Sequence, residues 1–201
     1  MRGLVQIQDA DRQLLDTIAA TMEEAARRSG EWLVCRPGCT ECCIGPFAIS
    51  QLDALRLRAG LAALAQKDPR RAAAVRERAD AYVAAIAPLY PGDPASGELF
   101  DEDKLPPEMD EMACPALDPY TGCCDLYDAR PVTCRTFGPV TRIGEQTLVA
   151  CELCYVGATD QEMARCAVEL DAEGLENKAL DALEAEGERG MTVVACALTS
   201  P

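Results

Sequence analysis

The stretch CRPGCTECC, residues 35–43, places Cys35, Cys39, Cys42 and Cys43 within nine positions of a chain that has 12 cysteines and no histidine. Thiols this dense end as disulfides, as metal ligands or as a reactive centre, and each outcome dictates how the surrounding chain must turn. A chain of 201 residues can bury a sufficient core without cross-links. In a reducing compartment such clustering favours metal over disulfides. The missing histidine excludes Cys2His2 zinc, histidine-ligated haem, and catalytic pairs of serine or cysteine with histidine. Any metal held here is bound largely by sulfur.

Tetrahedral sulfur coordination takes two or more thiolates from one short turn, and a gap of two or three residues lets the backbone N–H groups curl toward the sulfurs. Cys35, Cys39 and Cys42 have that spacing. Adjacent residues seldom aim both side chains at one ion, so Cys42 and Cys43 are expected to serve different metals or to bridge them. The second set lies in CPALDPYTGCCDLYDARPVTCRTFG, which supplies Cys114, Cys123, Cys124 and Cys134, followed by the C-x2-C pair Cys151 and Cys154. Neither segment closes a site comfortably alone, so the two are expected to meet in space. Cys166, among helical alanines, and Cys196, in an apolar tail, read as small buried residues. Arg36, Arg130, Arg135 and Arg142 lie in or beside these segments, where guanidinium groups would offset thiolate charge. For Arg130 and Arg135 an ordinary surface pair with Asp125 or Asp128 serves equally well. Tyr120, Asp125, Tyr127 and Glu152 stand close to cysteines and are the candidates for non-ligand chemistry, although ordinary turn and core roles are the favoured reading.

Around these segments the pattern is helical. Leu14, Ile18, Met22 and Ala25 recur at helical spacing over residues 9–29, with Gly30 as a stop. Ser50 with Asp53 is an N-cap signature, Asp68-Pro69 opens a third helix, and Thr159 with Glu162 predicts another through about Leu170. Gly174 separates that helix from LENKALDALEAEG; TRIGEQTLVACEL suggests one short β-hairpin, and MTVVACALTS a short terminal strand. The expectation is a mainly α fold, helices packed around two irregular cysteine-rich segments, as a single metal-binding domain over 1–201. Its parts are an N-terminal helix (1–34), a first cysteine segment (35–49), a helical pair (50–90), an acidic linker (91–112), a second cysteine segment (113–155) and a helical extension (156–201). A formal charge of −15 argues against a nucleic-acid surface, and no run of about 18 apolar residues predicts a membrane span. No signal-peptide pattern opens the chain, so a cytoplasmic protein is expected.

CRPGCTECC, CPAL and CDLYDARPVTCR together resemble the YkgJ-type CxxCxxCC cysteine-cluster family, described as a zinc- or iron-chelating domain and similar to the flagellin lysine N-methylases. The resemblance covers residues 35–43 and 114–135. It implies cluster cysteines at Cys35, Cys39, Cys42, Cys43, Cys114, Cys124 and Cys134, flanked by Tyr127, Arg130, Pro131 and Arg135. The first gap holds three residues, Arg36 to Gly38, where the family has two. Cys123, Cys151 and Cys154 fall outside the matched motif, so ligation at Cys151 and Cys154 rests on spacing. The extra residue also gives the C-x3-C-x2-C spacing of radical S-adenosylmethionine enzymes, but those are built of repeated strand–helix units, a pattern missing around this motif. S-adenosylmethionine therefore has no motif support, and no phosphate-cradling glycine loop indicates a nucleotide. Eight or nine thiols with an adjacent pair favour an iron–sulfur cluster, with zinc as the alternative. Two functions follow: a metal-binding protein whose centre is structural or carries electrons, and an enzyme that modifies a protein or peptide at an open metal position.

Overall fold

Side-chain caps set the helix starts. In the computed structural model, which describes residues 2–148 and 150–199, the Ser50 hydroxyl accepts from the Asp53 N–H at 3.2 Å and the Asp68 carboxylate from the Arg71 N–H at 3.1 Å. Thr159 and Glu162 cap each other reciprocally, satisfying donors that the first turn leaves orphaned. In chain order the elements are α1 (Arg2–Ser29), β1 (Ala48–Ser50), α2 (Gln51–Lys67), α3 (Pro69–Ile86), β2 (Gly92–Asp93), β3 (Glu98–Leu99), α4 (Val132–Thr136), β4 (Thr141–Ile143), β5 (Gln146–Leu148), α5 (Asp160–Cys166), β6 (Val168–Glu169), α6 (Leu175–Ala185), β7 (Met191–Val193) and α7 (Val194–Thr199). The fold is mainly α, as expected.

These elements divide into two compact units that interleave along the chain. The first takes the segment up to Arg36 together with Val132–Gly187; the second takes Pro37–Pro131 and the segment from Glu188 on. In the first unit α1 packs against α4, α5 and α6 through a stripe of Ile7, Leu14, Ile18 and Ala25. Ile7 extends the anticipated stripe toward the N-terminus, which is why the helix begins well before residue 9. A small sheet of order β5-β4-β6 completes the unit, with β4 antiparallel to β5 and parallel to β6. The β4–β5 pair is the hairpin expected from TRIGEQTL; Val149, the next residue, lies outside the described residues. Helix α5 stops at Cys166, short of Leu170, because the chain turns there to give β6 its place beside β4.

In the second unit α2, α3 and α7 pack around Ile49, Leu57, Leu61, Val75, Ala79 and Leu198. A sheet of order β1-β7-β3-β2, antiparallel throughout, lies in the same unit. The C-terminal stretch is a strand only over Met191–Val193 and then becomes α7, buried over Val194–Leu198; Ser200 lies outside the described residues. The acidic segment after Tyr90 is more than a connector. Its β3 pairs with both β2 and β7, and Leu99 and Met109 sit in the core, 5% and 2% exposed. The charges face outward on short turns, so composition hid the two apolar anchors.

Candidate metal centre

In the second unit the two cysteine segments are stitched together by backbone. Ile44 and Ala113 form an antiparallel bridge, the Cys114 N–H donates to the Cys43 carbonyl at 2.7 Å, and the Gly45 N–H donates to the Met112 carbonyl at 2.9 Å. The second segment then folds back on itself: Leu117 bridges Cys124, and the Asp125 N–H donates to the Ala116 carbonyl at 2.7 Å. Cys42, Cys43, Cys114 and Cys124 are thereby collected from two segments roughly seventy residues apart onto one side of a core that Cys114 and Cys124 themselves help to cover. Cys39 belongs to the same neighbourhood. A Cβ on Gly122 would lie 3.6 Å from both the Gly38 carbonyl oxygen and the Thr40 methyl, so the Cys39 loop rests against the turn that leads into Cys124.

Electrostatics link these thiols to one another. The Cys43 thiol donates to the Cys42 sulfur, and this bond, helped by the Arg130 guanidinium, pulls Cys42 down to about 6 against the effect of burial. Cys43 is pushed up by the same bond, by burial and by the charges of Cys42, Cys114 and Cys124. Burial pushes Cys114 up to about 11, with Cys124 and Cys42 adding to it. Cys124 is likewise raised by burial, while Arg130 works the other way. A group of thiols whose neighbours and burial resist negative charge is one that a cation in their midst would relieve.

Three arginines hold this arrangement. Arg130 stacks over the Tyr127 ring at 3.5 Å from its centroid and donates from Nε to the Tyr127 carbonyl at 2.9 Å, which fixes the guanidinium that acts on Cys42 and Cys124. Asp125, whose side chain is 2% exposed, is clamped to α3: Arg71 pairs with one carboxylate oxygen and Arg78 with the other at 2.5 Å. Arg78 also donates from Nε to the Pro115 carbonyl at 2.8 Å. Arg71 and Arg78 lie two helical turns apart on one face of α3, so a single helix grips both sides of the Cys114–Cys124 loop. Asp125, expected as a turn residue or a surface partner of Arg130 or Arg135, is instead buried and paired with Arg71 and Arg78, whose seven-residue spacing is the signal for that pairing.

The remaining expected ligands lie in the first unit. Cys35 follows α1, Cys134 lies on α4, and Cys151 and Cys154 form a buried turn closed by the Cys154 N–H donating to the Cys151 carbonyl at 2.9 Å. The Cys35 and Cys154 sulfurs are 4.0 Å apart. Cys35 belongs to the first unit and Cys39 and Cys42 to the second. Cys166 is buried and donates to the Arg28 carbonyl at 3.4 Å, and Cys196 is buried near Tyr90, so both are packing residues as expected. Cys123 is exposed and turns its thiol to the Thr121 carbonyl at 3.7 Å, whereas Cys124 faces the core. Arg142 pairs with Glu169 at 3.8 Å on the sheet of the first unit, and Tyr120 is 96% exposed. Among the described residues, no group of three or more cysteine or acidic side chains is already arranged to hold an ion. The thiols converge without closing, and a step of about 120° between staggered rotamers moves a sulfur by about 3 Å.

A helical scaffold that gathers thiols from distant segments, in a chain without histidine, has the donor chemistry of a metal-chelating domain. Residues 34–155, more than half of the chain, match the CxxCxxCC family, described as "Putative zinc- or iron-chelating domain", and the chain belongs to that family. No curated protein and no solved structure matches it. Among the described residues no helix is long and apolar enough to cross a membrane.

Proposed function

We propose that the second unit chelates metal through Cys42, Cys43, Cys114 and Cys124, with Cys39 as a fifth available thiol, and that the metal is an iron–sulfur cluster. The observation that carries this reading is the convergence of Cys42 and Cys43 on Cys114 and Cys124, registered by the Ile44–Ala113 bridge and by the mutual effect of their charges. The donor set fits the group: the residues are thiols only, half-buried, with Arg130 placed to offset the negative charge of a thiolate-bound centre. The adjacent pair Cys42 and Cys43 favours iron with sulfide over a single zinc ion, because neighbouring thiols seldom reach one ion and a cluster offers them different irons. When bound, such a group would supply electron transfer or a Lewis-acidic iron. The protein's own contribution is to hold the thiols, to keep Arg130 against them and to brace the Cys114–Cys124 loop on α3.

Anaerobic purification followed by metal and acid-labile sulfide analysis tests this. Iron with sulfide supports the cluster, zinc without sulfide supports a structural zinc site, and a folded protein that binds neither refutes chelation. Cys124→Ser should lower the bound metal, and an unchanged content would remove that residue from the ligand set.

A further inference from the structure

The geometry points to a second, separate metal centre in the first unit, formed by Cys35, Cys151 and Cys154 with Cys134 as the fourth thiol, and taking a soft divalent ion such as zinc or iron(II). This rests on the reading that the chain chelates metal but concerns none of the thiols assigned above. Cys151 and Cys154 form a C-x2-C turn, 6% exposed at each residue, whose backbone is pinned by two further bonds. The Cys151 N–H donates to the Gly138 carbonyl at 3.1 Å, and the Tyr155 N–H donates to the Trp32 carbonyl at 2.9 Å. The second bond sets the turn beside the stretch leading from α1 into Cys35.

Tyr155 makes that placement rigid. Its backbone is left-handed, with φ of 59°, and its hydroxyl, buried, meets the Ser29 hydroxyl at 2.5 Å and accepts from the Val140 N–H at 3.3 Å. A non-glycine residue is held in that region only where its surroundings impose it. The turn is thus locked against the end of α1 by bonds that do not involve sulfur, and Cys35 meets Cys154 as a consequence. Their 4.0 Å separation is twice the length of a disulfide bond, about 2.05 Å. It lies near the edge of a sulfur tetrahedron, about 3.8 Å for metal–sulfur bonds of about 2.3 Å.

Gly138 supplies the remaining condition. A Cβ there would lie 2.8 Å from the Cys35 sulfur, and its φ of +124° disfavours any side chain. The glycine therefore leaves room for the Cys35 sulfur against the same residue whose carbonyl anchors Cys151. Cys134, in the middle of α4, lies four residues before Gly138, so Cys35, Cys134 and Cys151 are tied to this glycine by contact, sequence or a backbone bond, and Cys154 joins them through Cys35. Cys35 is exposed while Cys151 and Cys154 are buried, which gives an ion a route in from solvent.

The test is Co2+ loading of the reduced full chain under anaerobic conditions, counted by native mass spectrometry and by the thiolate-to-cobalt absorption. Two ions per chain are expected, falling to one in Cys151→Ser/Cys154→Ser and to one in Cys42→Ser/Cys124→Ser. One ion in the wild type that persists in the first variant and is lost in the second overturns the second centre and leaves the proposed function standing. One ion lost in both variants means a single shared centre and also overturns it; no ion at all overturns the second centre, while the cluster is judged by its own iron and sulfide analysis. Should the buried double variant misfold, exposed Cys35→Ser takes its place: it should drop the count from two to one with an unchanged circular dichroism spectrum, and a retained count of two refutes the assignment.

Discussion

Removing the Asp125 carboxylate probes the link between the helical scaffold and the thiols. Asp125→Ala deletes the carboxylate that pairs with both Arg71 and Arg78, in a side chain that is 2% exposed. Breaking a fully buried pair costs about 3–5 kcal/mol, because the surviving charge is left uncompensated. The two arginines here are 45% and 27% exposed, so both recover part of their hydration, Arg71 more than Arg78. Treating the Arg71 half as a surface pair, worth about 0–1 kcal/mol, brings the expected loss to about 2–3 kcal/mol. For a protein of this size that lowers Tm by about 4–12 °C. Thermal unfolding followed by circular dichroism measures it, with Asp125→Asn as the companion that keeps the volume and loses only the charge. The same variants should bind metal more weakly, because the loop carrying Cys114 and Cys124 has lost its brace on α3 apart from the Arg78 bond to Pro115. An unchanged Tm together with unchanged metal content would refute the idea that α3 positions this loop.

Other outcomes follow from single contacts. Gly60→Ala places a Cβ 2.3 Å from the Ala129 Cβ, so despite a helix-propensity gain of about 1 kcal/mol it should destabilise by about 1–2 kcal/mol net, read as a lower midpoint in urea. Cys123→Ser should leave metal content unchanged while Cys124→Ser reduces it, since only the latter faces the other thiols; equal effects in a metal assay would contradict the placement. Binding of Zn2+ by the reduced protein should strengthen as pH rises toward 9. Burial pushes Cys114 up to about 11 and Cys43 is also raised, so at neutral pH the ion must displace their protons, and raising pH lowers that cost. Competition against a chelator at several pH values measures this, and a flat profile would show that protonated thiols are not the ligands. Thr159→Ala should cost about 1 kcal/mol by removing the cap of α5, with no effect on metal in the second unit.

Helix starts were legible because they are local. Ser50, Asp68-Pro69 and Thr159 with Glu162 each satisfy backbone donors within three residues, so sequence spacing alone exposes them. The approach of the two cysteine segments was legible from the shortage of ligands in either one. The division of the thiols was not, because it depends on long-range bonds such as Tyr155 to Ser29 and Cys114 to Cys43, between residues that carry no mutual signal in a single sequence. The boundary between the units falls after Arg36, inside the first cysteine motif, and no local pattern marks it. Arg71 and Arg78 were obscure for a similar reason: on an alanine-rich helix they read as solvated charge until Asp125 is seen buried between them. The anchors Leu99 and Met109 were hidden by the acidic residues around them.

X-ray absorption at the metal edge of the anaerobically isolated full-length protein addresses the thiolate centre most directly, because it reports which atoms touch the metal. The convergence of Cys42, Cys43, Cys114 and Cys124 predicts a first shell of sulfur alone at about 2.3 Å, diminished in Cys124→Ser. A shell of oxygen or nitrogen donors, or a folded protein carrying no metal, would contradict it.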